Sequence, residues 1–193
     1  SCTSQKNEHL SIFKYNESAG INTLDPAFAK DQASIWAVCQ LFNGLVQLDQ
    51  DLNVQPSIAK EWVVDKEGLI YTFYLRDDVF FHNSDKSNLD HGRKVSAYDF
   101  EYSFSRLLDK NIASPGRWVM SNVNNFSAQN DSVFTIKLKS PFPAFLGLLT
   151  MQYCSVVPKE IVESTDFHSN PIGTGPFKFQ LWQKGEKLIF RKN

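Results

Sequence analysis

The sequence predicts an α+β protein, a mixed sheet and hairpins flanked by helices, on three observations. Residues 62–65 and 69–76 read as two strands about the turn Lys66-Glu67-Gly68, with glycine last, where a positive φ costs nothing. A helical period over 96–108 follows that hairpin instead of alternating with parallel strands. A second hairpin then pairs residues 124–129 with 133–139 across Asn130-Asp131-Ser132. No internal repeat or low-complexity tract interrupts the pattern.

Taken in order, residues 9–15 (HLSIFKY) read as a first strand, with Leu10 and Ile12 alternating with Ser11 and Phe13. Leu24-Asp25-Pro26 breaks into a loop, because proline donates no amide and biases its predecessor away from helix. A helix follows over 35–42, with Ile35, Val38, Leu41 and Phe42 on one stripe and Gly44 as its C-terminal cap. Residues 45–48 are a short strand, 49–53 a turn, and Pro56 opens a short helix at a position that tolerates proline.

On the second strand of the first hairpin, Leu69, Tyr71, Phe73 and Leu75 share one face. Ser96 and Asp99 have capping-box spacing, and Phe100, Phe104, Leu107 and Leu108 form the helix face expected to cover the side bearing Tyr71 and Phe73. Between Asn83 and Gly92 a polar stretch (SDKSNLDH) reads as a surface loop. Residues 113–118 are turn-rich; Phe134, Ile136 and Leu138 face inward; 144–149 is a short apolar helix; 154–157 is a strand; and Pro158 opens a helix with Glu160 in its first turn. The last pair of strands, 177–182 and 188–191, turns about Lys184-Gly185-Glu186.

Bulk properties exclude several functions. A formal net charge of -1 without a long basic run gives no nucleic-acid footprint, and no apolar stretch reaches the length of a membrane span. Cys39 and Cys154 are isolated; unpaired buried thiols are the default, and a bridge would need their α-carbons within about 7 Å. His9, His82, His91 and His168 lack the spacing of a helical zinc site, so His82 and His91 read as solvated loop residues beside Asp85 and Asp90. No nucleophile elbow occurs, and Asp77-Asp78 reads as a solvated hairpin end, so no catalytic constellation emerges. Gly173-Thr174-Gly175-Pro176 is followed by a strand and no Lys-Ser/Thr pair; it reads as a tight turn with glycines at positive φ, not a phosphate cradle.

The order NGLV, PSIAKEW, YTFYLRDDVFFHN and GRKVSAYDFEYSFSRLL, followed by SPFP, VVPK and PIGTGPF, resembles the family 5 extracellular solute-binding proteins, the oligopeptide, dipeptide and nickel receptors of ABC importers. The resemblance covers nearly the whole chain. It implies a periplasmic-binding-protein-like first lobe of the class II, cluster C type with an additional small β-rich domain. Residues 9–43 and 155–193 would belong to ligand-binding lobe I and 44–154 to the inserted β-rich domain, with the second lobe absent, as in an amino-terminal fragment. It implies capture of peptides outside the cytoplasmic membrane and delivery to permease subunits, with no reaction, no cofactor and no metal, by a protein monomeric when full length. Receptors for a nickel chelate or an oligosaccharide are the alternatives within that class; a surface hydrolase or adhesin lies outside it.

Position by position, the resemblance places Lys30, Asp31, Gln32 and Ala33 where relatives pair backbone with a bound peptide. An aromatic contact after Ala-Ser-Pro is replaced here by Gly116, leaving Arg117 or Trp118 to substitute. Ser1-Cys2 followed by the polar residues 3–8 resembles a processed bacterial lipoprotein, with Cys2 as the lipidated residue and 1–8 as the tether; the alternative is a free terminal cysteine. The implied location is extracytoplasmic (periplasmic), on a membrane-anchored lipoprotein.

Overall fold

The computed structural model describes residues 12–83 and 92–193. The expected lipidation site Cys2, the expected tether 1–8, His9, His91 and the polar stretch with Asp85 and Asp90 lie outside the described residues.

Helix α1 (Gln32–Leu41) is followed by a two-stranded antiparallel pair, β1 (Val46–Leu48) with β2 (Val54–Pro56). The turn between them is built on Asp49, whose carboxylate accepts from the Asp51 and Asn53 amides. Next come β3 (Ala59–Val64), β4 (Ile70–Leu75) and helix α2 (Ala97–Leu108). Strands β5 (Val123–Asn130) and β6 (Val133–Leu138) complete an antiparallel sheet of order β3-β4-β6-β5. Short helices α3 (Phe145–Leu148) and α4 (Lys159–Ser164) lead to the hairpin of β7 (Phe177–Gln183) and β8 (Lys187–Lys192).

The register explains the core. Phe73 lies opposite Phe134, and Tyr71 opposite Ile136, so both hairpins offer one apolar face. Helix α2 is started by Ser96, whose N–H and hydroxyl both donate to the Asp99 carboxylate. It covers the β5–β6 end of that face: Phe104 meets Phe126 and Phe134 at ring-centroid distances of 5.7 and 5.5 Å. Tyr71 instead packs edge-on against Phe145 of α3, at 5.1 Å. The helix thus lies over the second hairpin, through Phe126 and Phe134, and not over the first as expected, while Tyr71 is covered by α3. Leu108 departs from the helix stripe and is exposed, being the last residue of α2.

Several local expectations are corrected. No helix starts at Pro56: the Ser57 and Ala59 amides donate to Leu45 O and the Ile58 amide to Gly44 O, so ladder bonds override the helix formers in Ala59-Lys60-Glu61. Residues 12–15 form no strand; no described strand runs beside them, and Ile12 and Phe13 are exposed. Residues 154–157 are no strand either. A 3-10 turn, Gln152–Cys154, is followed by extended chain tied by the Val156 amide to Asn43 O. Helix α1 ends at Phe42 in extended backbone; Gly44 instead lies where a Cβ would press on Cys154 O at 3.3 Å. Cys39 is exposed, because it lies on the outer side of α1 from Val38, while Cys154 is buried; both are free thiols.

The Gly173 and Gly175 expectation is also overturned. Neither has a positive φ. A Cβ on Gly173 would sit 1.9 Å from Leu41 O, and one on Gly175 2.5 Å from Leu41 C, so close backbone crossing at the end of α1 demands glycine. His82, read as a solvated loop residue, is 4 % exposed and packed onto that crossing.

Candidate functional site

Residues 23–29 run across the end of α2 and are pinned by polar side chains, Arg106, Ser114 and Gln152 buried and His168 exposed. The Leu24 amide donates to His168 O, and the Thr23 hydroxyl pairs with His168 Nδ1 at 2.9 Å. Asp25 caps the 3-10 turn Pro26–Phe28 by accepting from the Ala27 amide, and receives both terminal guanidinium nitrogens of Arg106. The Ser114 hydroxyl donates to Ala27 O at 2.5 Å, and Gln152 Nε2 to Ala29 O at 2.7 Å. Each of these carbonyls is thereby satisfied from inside. The chain emerges from this grip at Lys30, which is exposed.

Asp31 is the N-cap of α1, in extended backbone of φ -99° and ψ 154°. Its carboxylate accepts from the Ser34 amide and hydroxyl and from Asn22 Nδ2. Partial burial opposes its charge, but these hydrogen bonds outweigh burial and hold the carboxyl below its ordinary range. Gln32 and Ala33 lie in the first turn of α1, Gln32 exposed and Ala33 buried. Of the four candidate residues, Asp31 therefore offers an extended main chain whose carbonyl already accepts from the Ile35 amide, Lys30 an exposed residue before it, Gln32 a side chain, and Ala33 only its backbone. Trp36, one turn beyond Gln32, is half-exposed with Tyr15 edge-on at 6.0 Å. The core stripe of Ile35, Val38, Leu41 and Phe42 leaves this tryptophan out, and its offset of four from Gln32 puts both on one helix face.

Arg117 and Trp118 stand on the 3-10 helix Pro115–Met120, both exposed, Trp118 by 51 %. Ser114 caps that helix through the Gly116 amide while bonding Ala27, so one hydroxyl couples it to the Pro26–Phe28 turn. Gly116 is required because the Tyr153 ring lies 2.4 Å from where its Cβ would be. Among the described residues no hydrogen bond, ion pair or ring contact joins residues 30–33 directly to Arg117 or Trp118.

Two cavities lie apart from these residues. A cleft of about 500 Å³ is lined by Asn43, Arg76, Asp78, His82 and Thr174. A groove of about 440 Å³ runs between Phe28, Tyr102, Glu163 and His168. Among the described residues no group of three or more His, Cys, Asp or Glu could hold a metal ion, and no helix is long and apolar enough to cross a membrane.

Comparison with known proteins places these features in context. A family model described as "Bacterial extracellular solute-binding proteins, family 5 Middle" matches residues 53–193. The probable deoxycholate-binding periplasmic protein YgiS of Escherichia coli (strain K12) is 27 % identical, the match covering 94 % of this chain and 36 % of that protein. The periplasmic binding protein DppA of Helicobacter pylori, solved with the peptide STSA, superposes with a TM-score of 0.82 at 31 % identity, over 90 % of this chain and 37 % of its own. NikZ of Campylobacter jejuni, solved with Ni(L-His), gives 0.77 at 32 % identity over 92 % of this chain and 34 % of its own. The chain spans about a third of the length of the curated relatives it matches.

Proposed function

The chain belongs to the bacterial extracellular solute-binding proteins, family 5, and on that premise we propose that it captures peptides outside the cytoplasmic membrane and delivers them to the permease of an ABC importer. The observation that carries this reading is the anchoring of residues 23–29 by Arg106, Ser114, Gln152 and His168. Buried polar bonds hold that segment from behind, so Lys30 and Asp31 offer a main chain whose ordering cost is met before any solute arrives. An extended peptide presents amides and carbonyls at strand spacing, which such a backbone can pair regardless of side-chain identity. Gln32 offers a side chain and Ala33 an amide in the first turn of α1 beyond it, and Arg117 and Trp118 supply a cation and a broad ring face. The H. pylori structure with peptide STSA supports the assignment of a peptide.

In this reading no bond of the solute is made or broken, and no cofactor is needed. Residues 9–43 and 155–193 serve the ligand-binding lobe, with 44–154 as the inserted β-rich domain. A lipid on Cys2 tethers the protein, as a monomer, to the extracytoplasmic face of a membrane.

A second reading, a metal-chelate receptor, is favoured by the C. jejuni structure with Ni(L-His), whose identity to this chain is comparable. Calorimetry of the protein with a pool of short peptides and, separately, with Ni(L-His) distinguishes the two. Saturable heat with peptides, weakened about tenfold or more by Trp118→Ala, is expected. Binding of Ni(L-His) alone overturns the peptide assignment. Membrane fractionation of cells expressing Cys2→Ser tests the tether separately: retention on the membrane rejects it.

A further inference from the structure

His82 is the one buried imidazole among the described residues, and no role in solute capture uses it. Its amide donates to Gly173 O at 2.8 Å, and its Nε2 lies 2.9 Å from Gly175 O. A carbonyl can only accept, so the proton sits on Nε2 and leaves Nδ1 as a bare acceptor. That Nδ1 is fully buried and has no partner among the described residues. The neighbouring Asn83 accepts from Lys178 Nζ at 2.8 Å, extending the same grip to β7.

The loop held by His82 in turn holds α1. The Gly175 amide donates to Leu41 O at 2.8 Å, and Thr174 Oγ1 exchanges bonds with the amide and side chain of Asn43. Both glycines touch the Leu41 backbone with no room for a Cβ. Side chain, loop and helix end therefore form a single stack running from the stretch after β4 to the C-terminus of α1.

We infer that neutral His82 is a latch on the 173–175 loop, and that its protonation in acid releases that loop from the end of α1. A proton added at Nδ1 would create a buried cation whose new N–H faces no acceptor. The Gly175 carbonyl favours the imidazolium, but burial outweighs it and the Lys178 ammonium adds repulsion, so proton affinity falls below the ordinary histidine value. Among the described residues, Arg76 and Asp78 on the wall of the same cleft are the other charged groups facing it; they pair with each other at 2.8 Å and offer His82 no net counter-charge. The protonated ring reaches water by turning into that cleft, which breaks the bond to Gly175.

In the unfolded chain the imidazole takes its proton near pH 6.5, and in the folded chain at lower pH. Stability from the latch is therefore complete above that pH and is lost as pH falls from it toward the folded value. The test follows the His82 ring by NMR together with hydrogen exchange at Gly175. His82 is expected to titrate below pH 6.5. The Gly175 protection factor is expected to fall by up to about tenfold per pH unit across that window. His82→Gln keeps an N–H near Nε2 but cannot titrate, and its Gly175 protection is expected to be flat over the same range. Titration at or above the ordinary histidine value, or equal pH dependence in His82→Gln, overturns the proposal. Should the variant fail to fold, the wild-type titration alone still decides.

Discussion

Arg106 grips Asp25 across 81 residues of sequence, its two terminal nitrogens 2.6 and 3.1 Å from the two carboxylate oxygens. Both side chains are almost wholly buried, at 7 % and 2 % exposure. Asp25 simultaneously caps the turn before Lys30, so this pair fixes where the candidate ligand backbone leaves the core. Arg106→Met alone strands a buried carboxylate and should cost about 3–5 kcal/mol; Arg106→Met with Asp25→Leu should recover much of that loss. Urea unfolding of the two variants and wild type measures both. A double variant no more stable than Arg106→Met would mean the cap, not the charge pair, dominates.

Asp31→Ala removes the α1 cap and should destabilise by about 1 kcal/mol near neutral pH. Because its folded carboxyl is held below the ordinary value of 3.8, its contribution is present above that pH and is lost as pH falls through the folded value. The gap between wild-type and variant melting curves should narrow in acid and stay constant from pH 6 to 8.

Phe104 is fully buried with three aromatic neighbours, Phe100, Phe126 and Phe134. Truncation to alanine should cost about 3–5 kcal/mol. Leu108→Ala, on the exposed end of the same helix, should stay within about 0.5 kcal/mol of wild type. Denaturant midpoints compare the two directly.

Gly173→Ala should destabilise by about 1–3 kcal/mol, since the added carbon lands on the Leu41 carbonyl. Gly147→Ala, where nothing lies within 4 Å, should instead be neutral or stabilise by up to about 1 kcal/mol. If both variants melt like wild type, the loop has room to shift and the crossing is looser than its backbone distances imply.

Elements with a strong local period were legible in the sequence. The Lys66-Glu67-Gly68 hairpin, the Ser96 and Asp99 cap and the inward row Phe134, Ile136, Leu138 all stand as expected, because turn chemistry, capping and side-chain period act within a few residues. What failed depended on distant partners. Ala59-Lys60-Glu61 carries helix propensity, but its ladder to β4 is invisible locally. His82 looks like a loop residue until Gly173 and Gly175 arrive from the far end of the chain. At the candidate site, Asp31 and Ser114 were visible as polar residues near turns, whereas the bonds from Ser114 to Ala27 and from Gln152 to Ala29, which hold the chain ahead of Asp31, exist only in three dimensions.

The bonds that secure residues 23–43 also impose an order on folding. Their partners lie far along the chain: Gln152 for Ala29 at a separation of 123, Thr174 for Asn43 at 131, and His168 for Thr23 at 145. The β5–β6 hairpin closes over only Asp131 and Ser132 and bears no such delay. During synthesis the amino-terminal segment must therefore wait, uncovered, until residue 175 has left the ribosome, with the aromatic faces of Phe28 and Phe42 open to any chaperone that binds such surface. Pulse-labelled refolding should find the Lys139 amide, which donates to Asn122 O beside that hairpin, protected before that of Gly175.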